Sequence, residues 1–172
     1  SAAFTTYDDK GLYFRTAPSD VLQGAVLANT MLEDGHKNVA ILARQDSYGE
    51  LLASQVEKGV TAGGGTISEK ILYSADATNF TAEVNKLAAA KPDAIAVIAF
   101  NETTKIIPAM VAKGVGPKAQ QIYFTDGNTA DYSKDLPKGT LTGVKATYPG
   151  AELTSDFRQR LLKTDPKLKD FT

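Results

Sequence analysis

The chain has 172 residues, 42% hydrophobic and 23% charged, which suits one globular domain of about 100–200 residues. Its 19 basic and 20 acidic residues leave a formal net charge of -1, without the concentrated positive surface that nucleic-acid binding requires. The absence of cysteine excludes disulfides, thiolate metal centres and a cysteine nucleophile, and no apolar run approaches the roughly 18 residues of a membrane span.

In chain order, Leu12-Tyr13-Phe14-Arg15-Thr16 reads as a first strand. Ala17-Pro18-Ser19-Asp20 breaks it and offers two N-caps, Ser19 and Asp20. A helix is predicted over 21–34, with Val21, Ala25, Ala28 and Leu32 inward and Gly35 at its end. Val39-Ala40-Ile41-Leu42-Ala43 is apolar throughout, as in a parallel strand covered on both faces. After a loop over 45–49, a helix runs to about Ala62 with Leu52, Val56, Gly59 and Val60 in register, stopped by Gly63-Gly64-Gly65. Residues 66–72 read as a strand.

Thr78 or Asn79 caps the next helix, whose stripe is Phe80, Val84, Leu87 and Ala88. Lys91-Pro92-Asp93 turns the chain into the apolar strand 94–98. Asn101 can cap a helix over 102–113 with Ile106, Met110 and Val111 inward. Residues 121–124 and 143–147 read as the last strands. Thr154 or Ser155 opens a final helix with Phe157, Leu161 and Leu162 inward. This alternation predicts an α/β domain: an open, doubly wound, mostly parallel sheet with helices on both faces. A closed barrel needs roughly 250 residues.

Such sheets bind ligands beyond the carboxyl ends of their strands. The residues placed there include Gln45-Asp46-Ser47-Tyr48, Phe100-Asn101-Glu102, Thr125-Asp126-Gly127-Asn128 and Tyr148-Pro149. Aromatics, carboxylates and amides suit a small polar ligand, and a cationic ammonium in particular. Asp, Asn and Ser also populate ordinary turns, so composition leaves both readings open. Catalytic signatures are absent. Gly63-Gly64-Gly65 follows a helix rather than a strand, and neither GxxxxGK[ST] nor GxSxG occurs. The single histidine, His36, falls at the opposite end from the candidate rim, away from any triad position. Asp46, Glu102 and Asp126 have no metal-ligand spacing. No enzyme activity, cofactor or metal is expected.

Several loops resemble the type I periplasmic binding proteins, and the branched-chain amino acid (Leu/Ile/Val) group of ABC-transporter substrate-binding proteins most of all. Phe14-Arg15-Thr16-Ala17-Pro18-Ser19-Asp20 resembles the segment leading into that family's second lobe. Gln45-Asp46-Ser47-Tyr48-Gly49 resembles its D-x-x-Y-G signature, with one residue rather than two between Asp46 and Tyr48, and Thr78-Asn79-Phe80-Thr81 resembles its T-D-F-T, with Asn79 for Asp. Lys91-Pro92-Asp93-Ala94-Ile95 and Phe124-Thr125-Asp126-Gly127 also fit. The similarity runs over residues 12–171.

The resemblance implies a single lobe over 1–172, with 1–16 as hinge segment and a flavodoxin-like strand order. It implies a small solute, an amino acid or relative, held in an interlobe cleft and delivered to an ABC permease from the periplasm or cell exterior. A lipid anchor on a preceding segment belongs to the same expectation. Tyr48, Phe100 and Asp126 would contact the ligand, with Asn101, Glu102 and Asp46 beside them. Phe100 lacks the hydroxyl of the tyrosine often found there. The absent first lobe would carry most carboxylate recognition. No nucleic acid and no direct membrane insertion are expected. A ligand-sensing domain of a receptor or regulator on the same fold is the alternative.

Overall fold

A computed structural model describes residues 2–150 and 155–167. Five strands form one sheet: β1 (Asn38–Gln45), β2 (Thr66–Ser74), β3 (Ala94–Ile98), β4 (Gln121–Phe124) and β5 (Lys145–Ala146). Every pairing is parallel and the order is β2-β1-β3-β4-β5, the expected flavodoxin-like arrangement. Five helices accompany them: α1 (Asp20–Glu33), α2 (Gly49–Ala62), α3 (Thr81–Ala90), α4 (Thr103–Lys113) and α5 (Ser155–Thr164).

The central strands explain their own composition. All five residues of β3 are buried, as are Val39 to Ala43 of β1. Alternate residues point to opposite faces. Val39, Ile41 and Ala43 meet Leu27 and Met31 of α1 and Leu52, Val56 and Val60 of α2. Ala40, Leu42, Ile95 and Val97 meet Leu87 of α3 and Ile106, Ile107 and Met110 of α4. Both faces are therefore apolar, which removes the in-out alternation of a one-sided sheet.

Several sequence expectations change. Residues 12–16 form no strand; Leu12 and Phe14 lie 81% and 85% exposed. Their backbone is shaped locally instead, since the Gly11 and Tyr13 N–H groups both donate to the Asp9 carboxylate. In α1 the buried face is Gly24, Leu27, Ala28 and Met31, with Val21 and Ala25 outward. Small residues set this phase, because α1 and α2 pack closely. A Cβ on Gly24 would lie 2.4 Å from that of Gln55, and one on Gly59 would lie 2.5 Å from that of Ala28.

In α4, Ile107 takes the buried position expected of Val111, which is exposed. In α5, Phe157 is exposed, with Leu161 and Leu162 half-buried; Thr154 lies outside the described residues. The caps of α1 follow the sequence, whereas those of α3 and α4 shift by one residue. Ser19 Oγ accepts the Leu22 N–H, and Gly35 takes a left-handed φ of 91° just past α1. At α3 the N-cap is Phe80 rather than Thr78 or Asn79, and Asn79 Oδ1 accepts the Thr81 N–H from the turn before it. At α4 the N-cap is Glu102, and Asn101 contributes its backbone carbonyl, which accepts from the Thr104 Oγ1 hydroxyl at 2.8 Å.

Candidate functional site

The carboxyl ends of β1, β3 and β4 lie side by side, so the segments that follow them share one rim. Tyr48 comes from the β1–α2 loop, Phe100 from just beyond β3, and Asp126 from the short 3-10 turn after β4. They are in contact. The Tyr48 hydroxyl donates to Asp126 Oδ1 at 2.8 Å, and its ring centroid lies 5.0 Å from that of Phe100. Thr125 Oγ1 lies 3.0 Å from the same hydroxyl, and the Gly127 N–H donates to it at 3.2 Å.

Local chemistry holds each of the three. In the Asp46-Ser47-Tyr48-Gly49 loop, Asp46 Oδ1 accepts the N–H groups of Tyr48 and Gly49, closing the turn into α2. Gly49 is required there, since a Cβ would lie 2.0 Å from the Arg44 carbonyl oxygen. After β4, Asn128 is fully buried. Its Oδ1 accepts the Thr125 N–H and its Nδ2 donates to the Val97 carbonyl, so the turn bearing Asp126 is tied to β3. Burial, reinforced by the Asp126 carboxylate, pushes the Tyr48 phenol well above its ordinary 10. The hydroxyl therefore stays protonated and acts as a donor, not as a base.

Asp46 and Glu102 serve the rim through Arg44, which sequence reasoning passed over. The Arg44 Nε donates to Asp46 Oδ2 at 2.8 Å and its Nη1 to Glu102 Oε1 at 3.1 Å. Its guanidinium carbon stands 5.6 Å from the Phe100 ring centroid. Tyr73, at the end of β2, donates to the same Glu102 oxygen at 2.7 Å. Burial pushes the Glu102 carboxyl up. The Tyr73 hydroxyl, its own backbone N–H and Arg44 outweigh that and hold it below the ordinary glutamate value. Asn101 is exposed at the turn.

Beside the rim lies a cavity of about 300 Å³, lined by Tyr13 and Arg15 from before α1, Gln23 of α1, Asp126, and Thr147 to Gly150 after β5. The Gln23 Nε2 reaches Thr147 Oγ1 at 3.2 Å, joining β5 to α1. Sequence reading placed Tyr148 at this edge. It missed Arg15 because it assigned that residue to a strand. His36 lies at the other end of β1, its ring edge-on to Tyr123, as expected. Among the described residues no cluster of three or more His, Cys, Asp or Glu could hold a metal, and no helix is long and apolar enough to cross a membrane.

A parallel sheet with polar and aromatic groups gathered at its carboxyl edge has the layout in which open α/β folds hold ligands. The chain belongs to the periplasmic binding protein family, whose model, described as Periplasmic binding protein, matches residues 1–169. Among solved structures, it resembles a Rhodospirillum rubrum protein ascribed to a branched-chain amino acid ABC transporter. That match has a TM-score of 0.72 and 19% identity, covering 91% of this chain and 46% of the other. An ABC-transporter solute-binding protein from Rhodopseudomonas palustris, solved in complex with benzoate, matches at TM-score 0.63 and 21% identity, over 69% of this chain and 32% of the other. An extracellular ligand-binding receptor from Rhodopseudomonas palustris HaA2 matches at TM-score 0.59 and 28% identity, over 64% and 30%. This chain thus spans less than half the length of each of these three structures. No curated protein matches the sequence.

Proposed function

We propose that this chain is the second lobe of a two-lobe solute-binding protein that serves an ABC importer outside the cytoplasmic membrane. Its rim holds a small polar solute, an amino acid or a related compound, in an interlobe cleft. The observation that carries this reading is the convergence of Tyr48, Phe100 and Asp126 on one edge. Asp126 engages one carboxylate oxygen with Tyr48, which orients the group toward an ammonium. The Phe100 ring, 38% exposed, offers apolar surface beside it. Asp46, Asn101 and Glu102 frame the site, the two carboxylates acting through Arg44. The work is capture and delivery, with no bond made or broken.

The test is isothermal titration of the protein carrying both lobes against an amino-acid panel. Asp126→Ala should weaken an ammonium-bearing ligand by about 30-fold or more; unchanged affinity rejects the site. This chain alone encloses a ligand from one side only, so it should bind far more weakly than micromolar. Micromolar affinity in the isolated chain refutes the need for a second lobe.

A further inference from the structure

We propose that the cavity beside the rim is an apolar subsite, which seats the hydrocarbon tail of a solute whose ammonium sits on Asp126. This rests on the solute-binding reading and narrows its class to amines that carry an apolar chain. It places recognition of the tail on the same lobe as recognition of the ammonium.

The cavity, about 300 Å³, is at the small end of ligand pockets. Pro18 lines it from before α1, Leu22 and Val26 from α1 itself, and Tyr148 and Pro149 from beyond β5. The Gln23–Thr147 hydrogen bond holds two of these walls together. Leu22 and Val26 are four residues apart and so share a flank of the helix. The buried face of α1 is a different one, made by Gly24, Leu27, Ala28 and Met31. A flank turned to solvent is ordinarily polar. Here Leu22 is 55% exposed and Val26 45%, and Tyr148, at 65%, lines the same cavity. Single exposed apolar side chains need no explanation, but several around one cavity mark a surface built to be covered.

Charge selects the occupant. Asp126 lines this cavity too, and its Oδ1 takes the Tyr48 hydroxyl. Its Oδ2 has no protein partner among the described residues, which leaves that oxygen for a donor from the ligand. Asp20 and Arg15 complete the charged lining, so two carboxylates stand against one guanidinium and the cavity is formally negative. A monocation complements it. An organic acid would add a second excess negative charge, and a plain hydrocarbon would leave Asp126 unused. The occupant is therefore an ammonium with an apolar tail.

The experiment is an NMR titration of the isotope-labelled chain with methylamine, propylamine and pentylamine, cations at neutral pH that differ only in the tail. All three should shift the amides of Asp126 and Gly127, and the longer two should also shift the methyl groups of Leu22 and Val26. Affinity should rise about twofold per added carbon, where complete burial would give about fourfold. Leu22→Asn combined with Val26→Thr, both at exposed positions, should flatten the series to the level of methylamine. Asp126→Asn should bring pentylamine down to the affinity of 1-pentanol. A flat series in the parent chain, with Asp126 and Gly127 still moving, overturns the apolar subsite and leaves the solute-binding reading standing. The protein carrying both lobes should show the same slope. A slope confined to the isolated chain means that another part of the protein fills the cavity, which also overturns the subsite. Silence of Asp126 and Gly127 toward every amine overturns both readings.

Discussion

Arg44 and Glu102 are 58 residues apart in the chain, yet the guanidinium of one donates to the carboxylate of the other at 3.1 Å. The bond ties the end of β1 to the turn after β3. Because Arg44 also holds Asp46, a single side chain sets the spacing of the two loops that present Tyr48 and Phe100.

Replacing Arg44 by Met keeps the aliphatic stem and removes the charge. Glu102, whose side chain is only 12% exposed, is then left with the Tyr73 hydroxyl and its own backbone N–H. A partly buried carboxylate stripped of its cation should cost about 2 kcal/mol, less than a fully buried pair would because Arg44 is a quarter exposed. Urea unfolding measures it, and a midpoint equal to that of the parent chain refutes the clamp.

The same carboxylate makes stability depend on acidity. The folded state holds Glu102 below its ordinary 4.5. Between the two values the unfolded chain binds a proton that the native chain does not. Stability from this group is therefore complete above about pH 4.5 and drains away as pH falls through the folded value. Glu102→Gln should flatten that part of the stability profile, as read by denaturant melts at stepped pH. A variant with the parent's acid slope assigns the effect elsewhere.

Tyr48→Phe keeps the ring against Phe100 and deletes the hydroxyl that meets Asp126, Thr125 and the Gly127 N–H. About 1 kcal/mol of stability should go with it. Because Asp126 is only half-buried, water can replace the lost donor there. A loss well above that range would mean the hydroxyl holds more of the fold than these three contacts.

Gly127→Ala tests how tightly the rim is built. Its Cβ would stand 2.8 Å from both the Ala99 carbonyl oxygen and the Tyr48 hydroxyl, and 2.9 Å from the Phe100 ring. Crowding of this kind costs about 1–3 kcal/mol. It should also separate the two aromatic rings, visible as altered ring-current shifts in the proton spectrum. Unaltered shifts would place slack where the structure has none.

The sheet was legible because covered parallel strands leave a signal that needs no partner information. Residues 39–43 and 94–98 are apolar on both faces, and nothing but a strand of that length fits between the flanking turns. Leu12 to Thr16 is also rich in strand-forming residues but pairs with no strand among the described residues, and propensity alone does not make a strand. The phase of α1 was lost because Gly24 and Ala28 mark its close approach to α2, and small residues carry little weight in an apolar pattern. At the site, Tyr48 and Asp126 were readable as residues following strands. The pairing of Arg44 with Glu102 was not. Glu102 satisfies a helix-dipole reading on local grounds, and its partner lies on another strand.

The ring of Phe100 lies against both the Tyr48 ring and the Arg44 guanidinium and is still 38% exposed. The chain contains no tryptophan. An indole installed at position 100 would thus be its lone long-wavelength emitter. The colour of that light would report how wet the face is, so under the proposed two-lobe arrangement it would serve as an optical clock for closure.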